Sequence, residues 1–318
     1  MAGATRSGGL RRLAGNRRLR LGIQALVIAL VLGFVARALW DQWPAIRAYH
    51  WQLEGWYLPA GMAVLLARAP ISCFGWRMIL RSMGYTLPWA TAVRVYFYSG
   101  LAKYMPGTMW YAVGRVLLAE RAGVPKMVTS VSLVIETALV TASAILVGAL
   151  AFTVQSDMAW WVPAGVLVAL LAGLAYPRPL FALMNRGLRL LGRAPVAVTI
   201  SGRQLLVLLP PFVLSWLAYG LVSFFWTAAL YPQLPWIDWP AITGLYTASW
   251  AIGFLTLLVP NGWGVREVLL IAGLTKVLGL PLVVATGAAI LSRLGSIFAE
   301  AAWASIAWLL KPPVAPRP

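Results

Sequence analysis

The sequence predicts an all-α polytopic membrane protein of about six full transmembrane helices and two Pro/Gly-broken re-entrant hairpins, arranged as an inverted-topology repeat. Three observations predict it. Apolar residues make up 61% of the chain and charged residues 11%, with a mean hydropathy of +0.80, whereas soluble domains are about a quarter charged and have no way to cover so much apolar surface. The Lys and Arg residues fall in short segments between long apolar runs. Two of those runs are interrupted by Pro and Gly at corresponding places in the two halves of the chain.

Taken in order, residues 1–20 are a basic tail carrying Arg6, Arg11, Arg12, Arg17, Arg18 and Arg20. The apolar run 21–39 is longer than a signal-peptide core and leads into Arg37, Trp40 and Asp41 instead of a small-residue cleavage site, so it is expected to be a retained first span. Further spans are expected at 56–76, 127–152, 159–176, 204–230 and 282–309, each about 18 to 28 residues against the roughly 20 that a hydrocarbon core requires. Between them, 86–118 is broken at Tyr104-Met105-Pro106-Gly107, and 241–278 at Val259-Pro260-Asn261-Gly262-Trp263-Gly264. Proline removes a backbone donor and glycine favours irregular backbone, so each stretch reads as two half-helices around a break. The whole chain is expected to be one membrane domain, with a first half at 21–152, a second at 159–310 and a short tail at 311–318.

Orientation follows from the basic residues. The N-terminal tail, Arg77, Arg81 and Arg94, the loop arginines Arg178, Arg186, Arg189, Arg193 and Arg203, and the final Lys311 and Arg317 are all expected in the cytoplasm. The opposite connections hold Asp41, Glu54, Asp157 and Asp238 with the Trp clusters Trp40/Trp43/Trp51/Trp56, Trp160/Trp161 and Trp236/Trp239, an aromatic belt at the outer interface. On these sides each broken stretch returns to the face it entered from. Weak internal symmetry agrees: Pro106-Gly107, Gly114-Arg115 and Gly123-Val124-Pro125 are answered by Pro260-Asn261-Gly262, Gly264-Val265-Arg266 and Gly279-Leu280-Pro281.

A charge inside a bilayer costs about 2.5 to 3.5 kcal/mol on insertion scales, so each needs a partner or a wet cavity. Arg68, Lys103, Arg115, Glu136, Arg266, Glu267, Arg293 and Glu300 are the charges in question. Arg115 and Arg266 each follow a break, where freed backbone donors, a helix N-terminus and a guanidinium suit a phosphate; Lys103 adds a cation to the first site. The alternative is that Arg115 anchors at the interface and Arg266 pairs with Glu267. Glu136 and Arg293, eleven and twelve residues after Pro125 and Pro281, are expected to face each other near the midplane, as a substrate site or a structural salt bridge. Glu300, on the Arg293 face, is the other candidate partner.

A net charge of +18 in a soluble protein points to nucleic acid; here it reads as topology and contact with anionic lipid, with no nucleic-acid partner. One Cys and one His exclude a disulfide framework and a Cys/His metal site. No nucleotide-binding Gly-Lys-Ser/Thr loop or soluble carboxylate pair occurs, so neither a cofactor nor a catalytic residue is expected.

The motifs Lys103-Tyr104-Met105-Pro106-Gly107, Trp110, Gly114-Arg115, Glu136, Pro260-Asn261-Gly262-Trp263-Gly264-Val265-Arg266-Glu267 and Arg293, in that order and spacing, resemble the transmembrane region of lysylphosphatidylglycerol synthases and its free-standing flippase-like relatives. The resemblance runs from about residue 20 to 310. It implies lipid movement between leaflets, without the soluble domain that carries out aminoacyl transfer. The resulting expectation is a flippase or scramblase of a bacterial-type inner membrane, acting on a phospholipid or a polyprenyl-phosphate-linked sugar through Arg115, Arg266, Lys103, Glu136, Glu267 and Arg293. The alternatives are a membrane lipid head-group transferase and a non-transporting partner of envelope-synthesis enzymes.

Overall fold

The computed structural model describes residues 47–102, 110–155, 161–178, 200–255 and 264–310, with isolated positions between them. The expected first span at 21–39, the tails, and the breaks containing Lys103, Pro106, Gly107, Pro260 and Gly262 lie outside the described residues. Among those that are described the protein is all-helical. The helices are α1 (Tyr57–Ser82), α2 (Trp89–Leu101), α3 (Trp110–Arg121), α4 (Lys126–Gln155), α5 (Trp161–Ala175), α6 (Gly202–Leu208), α7 (Pro210–Leu230), α8 (Trp239–Leu255), α9 (Val265–Val277) and α10 (Leu282–Leu309), with a 3₁₀ turn at Trp236–Asp238.

Among the described residues four helical stretches are long and apolar enough to cross a membrane: Tyr57–Ser82, Lys126–Thr153, Gly202–Leu230 and Leu282–Leu309. Their outward faces carry exposed Phe74, Val134, Val207, Leu214, Leu294 and Phe298, which is stable only against acyl chains. This is a multi-pass membrane protein. Of the expected span 159–176 the described part is helix α5, 15 residues or about 22 Å at 1.5 Å per residue; residues 156–160 before it lie outside the described residues. The expected span 204–230 is two pieces, because Pro210 and Pro211 interrupt the amide ladder. A capping box starts the first, with Ser201 Oγ accepting from the Gln204 amide at 3.3 Å and Gln204 Oε1 from the Ser201 amide at 2.8 Å.

Each broken stretch contains two helices that pack against one another, α2 on α3 and α8 on α9. The packing of the halves corresponds element by element: α3 meets α4 as α9 meets α10, α1 meets α4 as α7 meets α10, and across the halves α2 meets α10 as α8 meets α4. Helices α1 and α7 form the central, most extensive contact. They run antiparallel. At one end the Glu54 amide donates to the Ala229 carbonyl at 3.2 Å and Trp56 and Tyr57 pack beside Phe225; at the other, Arg77 and Arg81 share a cleft with Ser201 and Arg203. Trp56 and the arginines Arg77, Arg81 and Arg203 are therefore at opposite ends. Leu87 before α2 and Val124 after α3 belong to one buried cluster with Ala307 near the end of α10, and Arg94 Nη1 donates to the Leu310 carbonyl at 3.0 Å.

Two details hold the centre. Pro70 lies inside α1 and has no N–H to offer the Leu66 carbonyl one turn earlier; the Trp303 indole of α10 donates to that carbonyl at 2.9 Å instead. Trp226 of α7 is clamped between two glycines. A Cβ on Gly61 would lie 2.5 Å from its Nε1, and one on Gly295 would overlap the far edge of the ring.

Candidate functional site

The two arginines that follow the breaks occupy corresponding places with different surroundings. Arg115 on α3 is 1% exposed. Its Nη1 donates to Glu136 Oε2 at 2.6 Å and its Nε to Ser99 Oγ at 3.1 Å. Three rings enclose the guanidinium, Tyr96, Tyr111 and Trp76, with centroids at 4.0, 4.6 and 5.0 Å. Tyr96 OH donates to the second Glu136 oxygen at 3.0 Å. Such a cage answers the charge fully within the protein, by an ion pair, hydrogen bonds and ring faces.

Arg266 on α9 stacks on Tyr246 at 4.6 Å and lies 5.9 Å from the Tyr219 centroid. Where the first half has a carboxylate, the second has a hydroxyl. Arg266 Nη2 is 3.5 Å from Ser292 Oγ, and Tyr246 OH and Ser292 Oγ share a hydrogen bond at 2.8 Å. The register matches: Tyr96 and Tyr246 each stand seven positions after a helix-starting tryptophan, Trp89 and Trp239, and Glu136 and Ser292 each stand eleven after a proline, Pro125 and Pro281. Among the described residues Arg266 makes no ion pair.

The expectation that Glu136 faces Arg293 is corrected by this geometry. Glu136 pairs with Arg115, and Arg293 Nε lies 3.7 Å from Glu267 Oε1. One residue turns about 100° on a helix, so position 292 faces Tyr246 while position 293 faces elsewhere. Glu267 does not pair with Arg266 either. Its other oxygen accepts the Gly264 amide at 2.7 Å, closing the start of α9. Gly264 sits there at φ +85°, a conformation that an L side chain resists.

Arg266 opens on a cavity of about 180 Å³ at the junction of α1, α7, α8, α9 and α10. Arg68, Arg293, Glu300, Tyr219, Tyr246 and Ser296 supply its polar wall, with Trp216, Trp250, Trp303 and Phe97 around them. Tyr219 lies within ring-stacking range of both Arg68, at 4.5 Å, and Arg266. It also hydrogen-bonds Ser296. Arg68 Nε donates to the Ser215 carbonyl at 3.1 Å, which fixes its direction. Three guanidinium groups, one of them paired with Glu267, and the Glu300 carboxylate thus line one aromatic-walled space, whose excess of positive charge suits an anion held by charge-assisted hydrogen bonds.

Arg115 and Arg266 are not brought together, because Arg115 is closed in its own cage and only Arg266 lines the cavity. Sequence reasoning marked Arg68 as a costly buried charge without giving it a role, and it did not find Tyr219, Tyr246 or Ser292. The matched spacing after Trp89 and Trp239 is the signal that would have found Tyr246. Aligning the halves at eleven residues after each proline would have found Ser292.

A family model described as the lysylphosphatidylglycerol synthase TM region matches residues 22–303. No curated protein matches the chain significantly.

Proposed function

From the premise that the chain belongs to the lysylphosphatidylglycerol synthase transmembrane-region family, we propose that it is a flippase or scramblase that carries a lipid with an anionic head group between leaflets. The head group is received in the central cavity by Arg266, with Arg68 and Arg293 beside it. One observation carries this reading: Ser292 stands where Glu136 stands in the other half, so Arg266 keeps the aromatic stacking of its counterpart but lacks the carboxylate that fills the first site. A phosphate or phosphodiester supplies the missing anion. Excluding water from so small a space strengthens the attraction. Binding is the chemistry, and no covalent step is required.

The corresponding packing of the two halves supports an inverted repeat with six spans, in which the α2–α3 and α8–α9 pairs are re-entrant hairpins. The shared cluster of Leu87, Val124 and Ala307 supports entry and return of the first pair at one face. The arginine-rich end then faces the cytoplasm of an inner membrane, with both termini, and Arg115–Glu136 serves as the closed structural counterpart of the open site. Lys103, expected as a second cation at the first site, lies outside the described residues.

The test is leaflet exchange of a labelled anionic lipid in liposomes containing the purified protein. Arg266→Lys replaces a planar fork with a point charge and should slow exchange, Arg266→Ala should slow it further, and Arg189→Lys, an exposed control, should do little. If Arg266→Lys exchanged lipid at the parental rate at matched protein levels, the head-group role of Arg266 would be wrong.

A further inference from the structure

At the arginine-rich end of the bundle, the last turns of α1 and the start of α6 enclose a second cleft of about 740 Å³. It shares no lining residue with the central cavity. Arg77, Arg81 and Arg203 are the charged residues of its polar side, and among the described residues no carboxylate lines it. Arg77 Nε donates to the Leu87 carbonyl at 2.7 Å, which holds that guanidinium at the wall, whereas Arg81 and Arg203 are exposed. Phe74, Met78 and Val207 form its apolar side. Phe74 and Val207 are 47% and 60% exposed on two helical stretches long enough to cross a membrane, so the apolar side continues into the acyl-chain region.

We infer that this cleft binds an anionic phospholipid from the leaflet on the arginine-rich side, its phosphate among Arg77, Arg81 and Arg203 and an acyl chain along Phe74, Met78 and Val207. The charge selects an anion, and the apolar wall selects an amphiphile over a free inorganic ion. A cleft between membrane helices with basic residues at the head-group level and an apolar wall below is the arrangement that recognises such lipids. The site is separate from the transport cavity and does not rest on the reading of Arg266. Its occupant bridges α1 and α6, the first described span and the start of the Gly202–Leu230 stretch.

The test is native mass spectrometry of the full chain, purified and delipidated in neutral detergent, titrated with phosphatidylglycerol, with phosphatidylcholine and with inorganic phosphate. The parent should retain phosphatidylglycerol in preference to phosphatidylcholine. Arg81→Gln with Arg203→Gln, both at exposed positions and so compatible with folding, should weaken that adduct roughly 30-fold, at about 1 kcal/mol per basic residue near a membrane surface. The same double substitution made in an Arg266→Ala background should lower retention by the same factor, which separates this site from the transport cavity. Equal retention of the two lipids, or undiminished phosphatidylglycerol on the double variant, would overturn the inference. Displacement of the lipid by millimolar inorganic phosphate would also overturn it, by assigning the arginines to a small anion.

Discussion

Introducing a carboxylate at Ser292 should close the second site in the way that Glu136 closes the first. Ser292 Oγ is 3.5 Å from Arg266 Nη2, and a glutamate reaches further along the same direction, while the first-half pair shows a contact of 2.6 Å once a carboxylate is present. A hydrogen bond to a charged partner contributes about 1.5 to 3 kcal/mol net. An incoming head group must displace it, so apparent affinity falls by roughly 10- to 150-fold at about 1.4 kcal/mol per decade. Ser292 is 4% exposed, and the larger side chain adds an overpacking cost of about 1 to 3 kcal/mol. Ser292→Gln carries nearly the same bulk without the charge and isolates that cost. The measurement is leaflet exchange of an anionic lipid in proteoliposomes across a range of lipid concentrations. Ser292→Glu should need far more lipid to reach half-maximal exchange than Ser292→Gln. Equal behaviour of the two variants would refute the equivalence of Ser292 and Glu136 as determinants of the open and closed sites.

Three further outcomes concern stability in detergent. Glu136→Gln leaves Arg115 buried without its carboxylate and should cost about 3 to 5 kcal/mol, read as a large drop in thermal midpoint; an unchanged midpoint would mean that the cage tolerates an unanswered charge. Gly295→Ala pushes a methyl into Trp226, which Gly61 blocks on the other side. It should cost about 1 to 3 kcal/mol, visible in tryptophan-fluorescence melting, and a neutral result would mean that α7 and α10 can slide apart there. Trp303→Phe keeps an aromatic ring but removes the donor to the Leu66 carbonyl left open by Pro70. It should cost about 1 to 3 kcal/mol, whereas Trp303 replaced in a Pro70→Ala background should cost less, because the amide at position 70 then satisfies that carbonyl.

Much of the fold is legible in the chain because membrane insertion is governed by local quantities. The span expected at 282–309 is α10, Leu282–Leu309, and 127–152 falls within α4, Lys126–Gln155, since the length of an apolar run against a fixed hydrocarbon thickness leaves little freedom. Breaking of the stretches around 86–118 and 241–278 into paired helices follows from Pro and Gly. Grouping of Arg77, Arg81 and Arg203 at one end and Trp56 and Trp236 toward the other follows from the preference of each residue type for its interface. Position along the chain fixes depth, and depth alone decided these features.

Partner choice among the buried charges required the tertiary structure. Glu136 and Arg293 were matched by depth, yet one residue of register separates Arg293 from Ser292, and about 100° of helix rotation separates their faces. Whether a carboxylate meets Arg115 or Arg266 is decided by how α4 turns against α3 and α10 against α9, and those rotations are set by side-chain packing along whole helices. Tyr219 joined its stacking partners Arg68 and Arg266 only when α1, α7 and α9 closed on one another. The sequence by itself marked which charges fall in apolar stretches and so need a partner. The tertiary structure decided which of them meets a carboxylate and which meets a hydroxyl, because hydropathy acts through depth alone and ion pairing depends on direction as well.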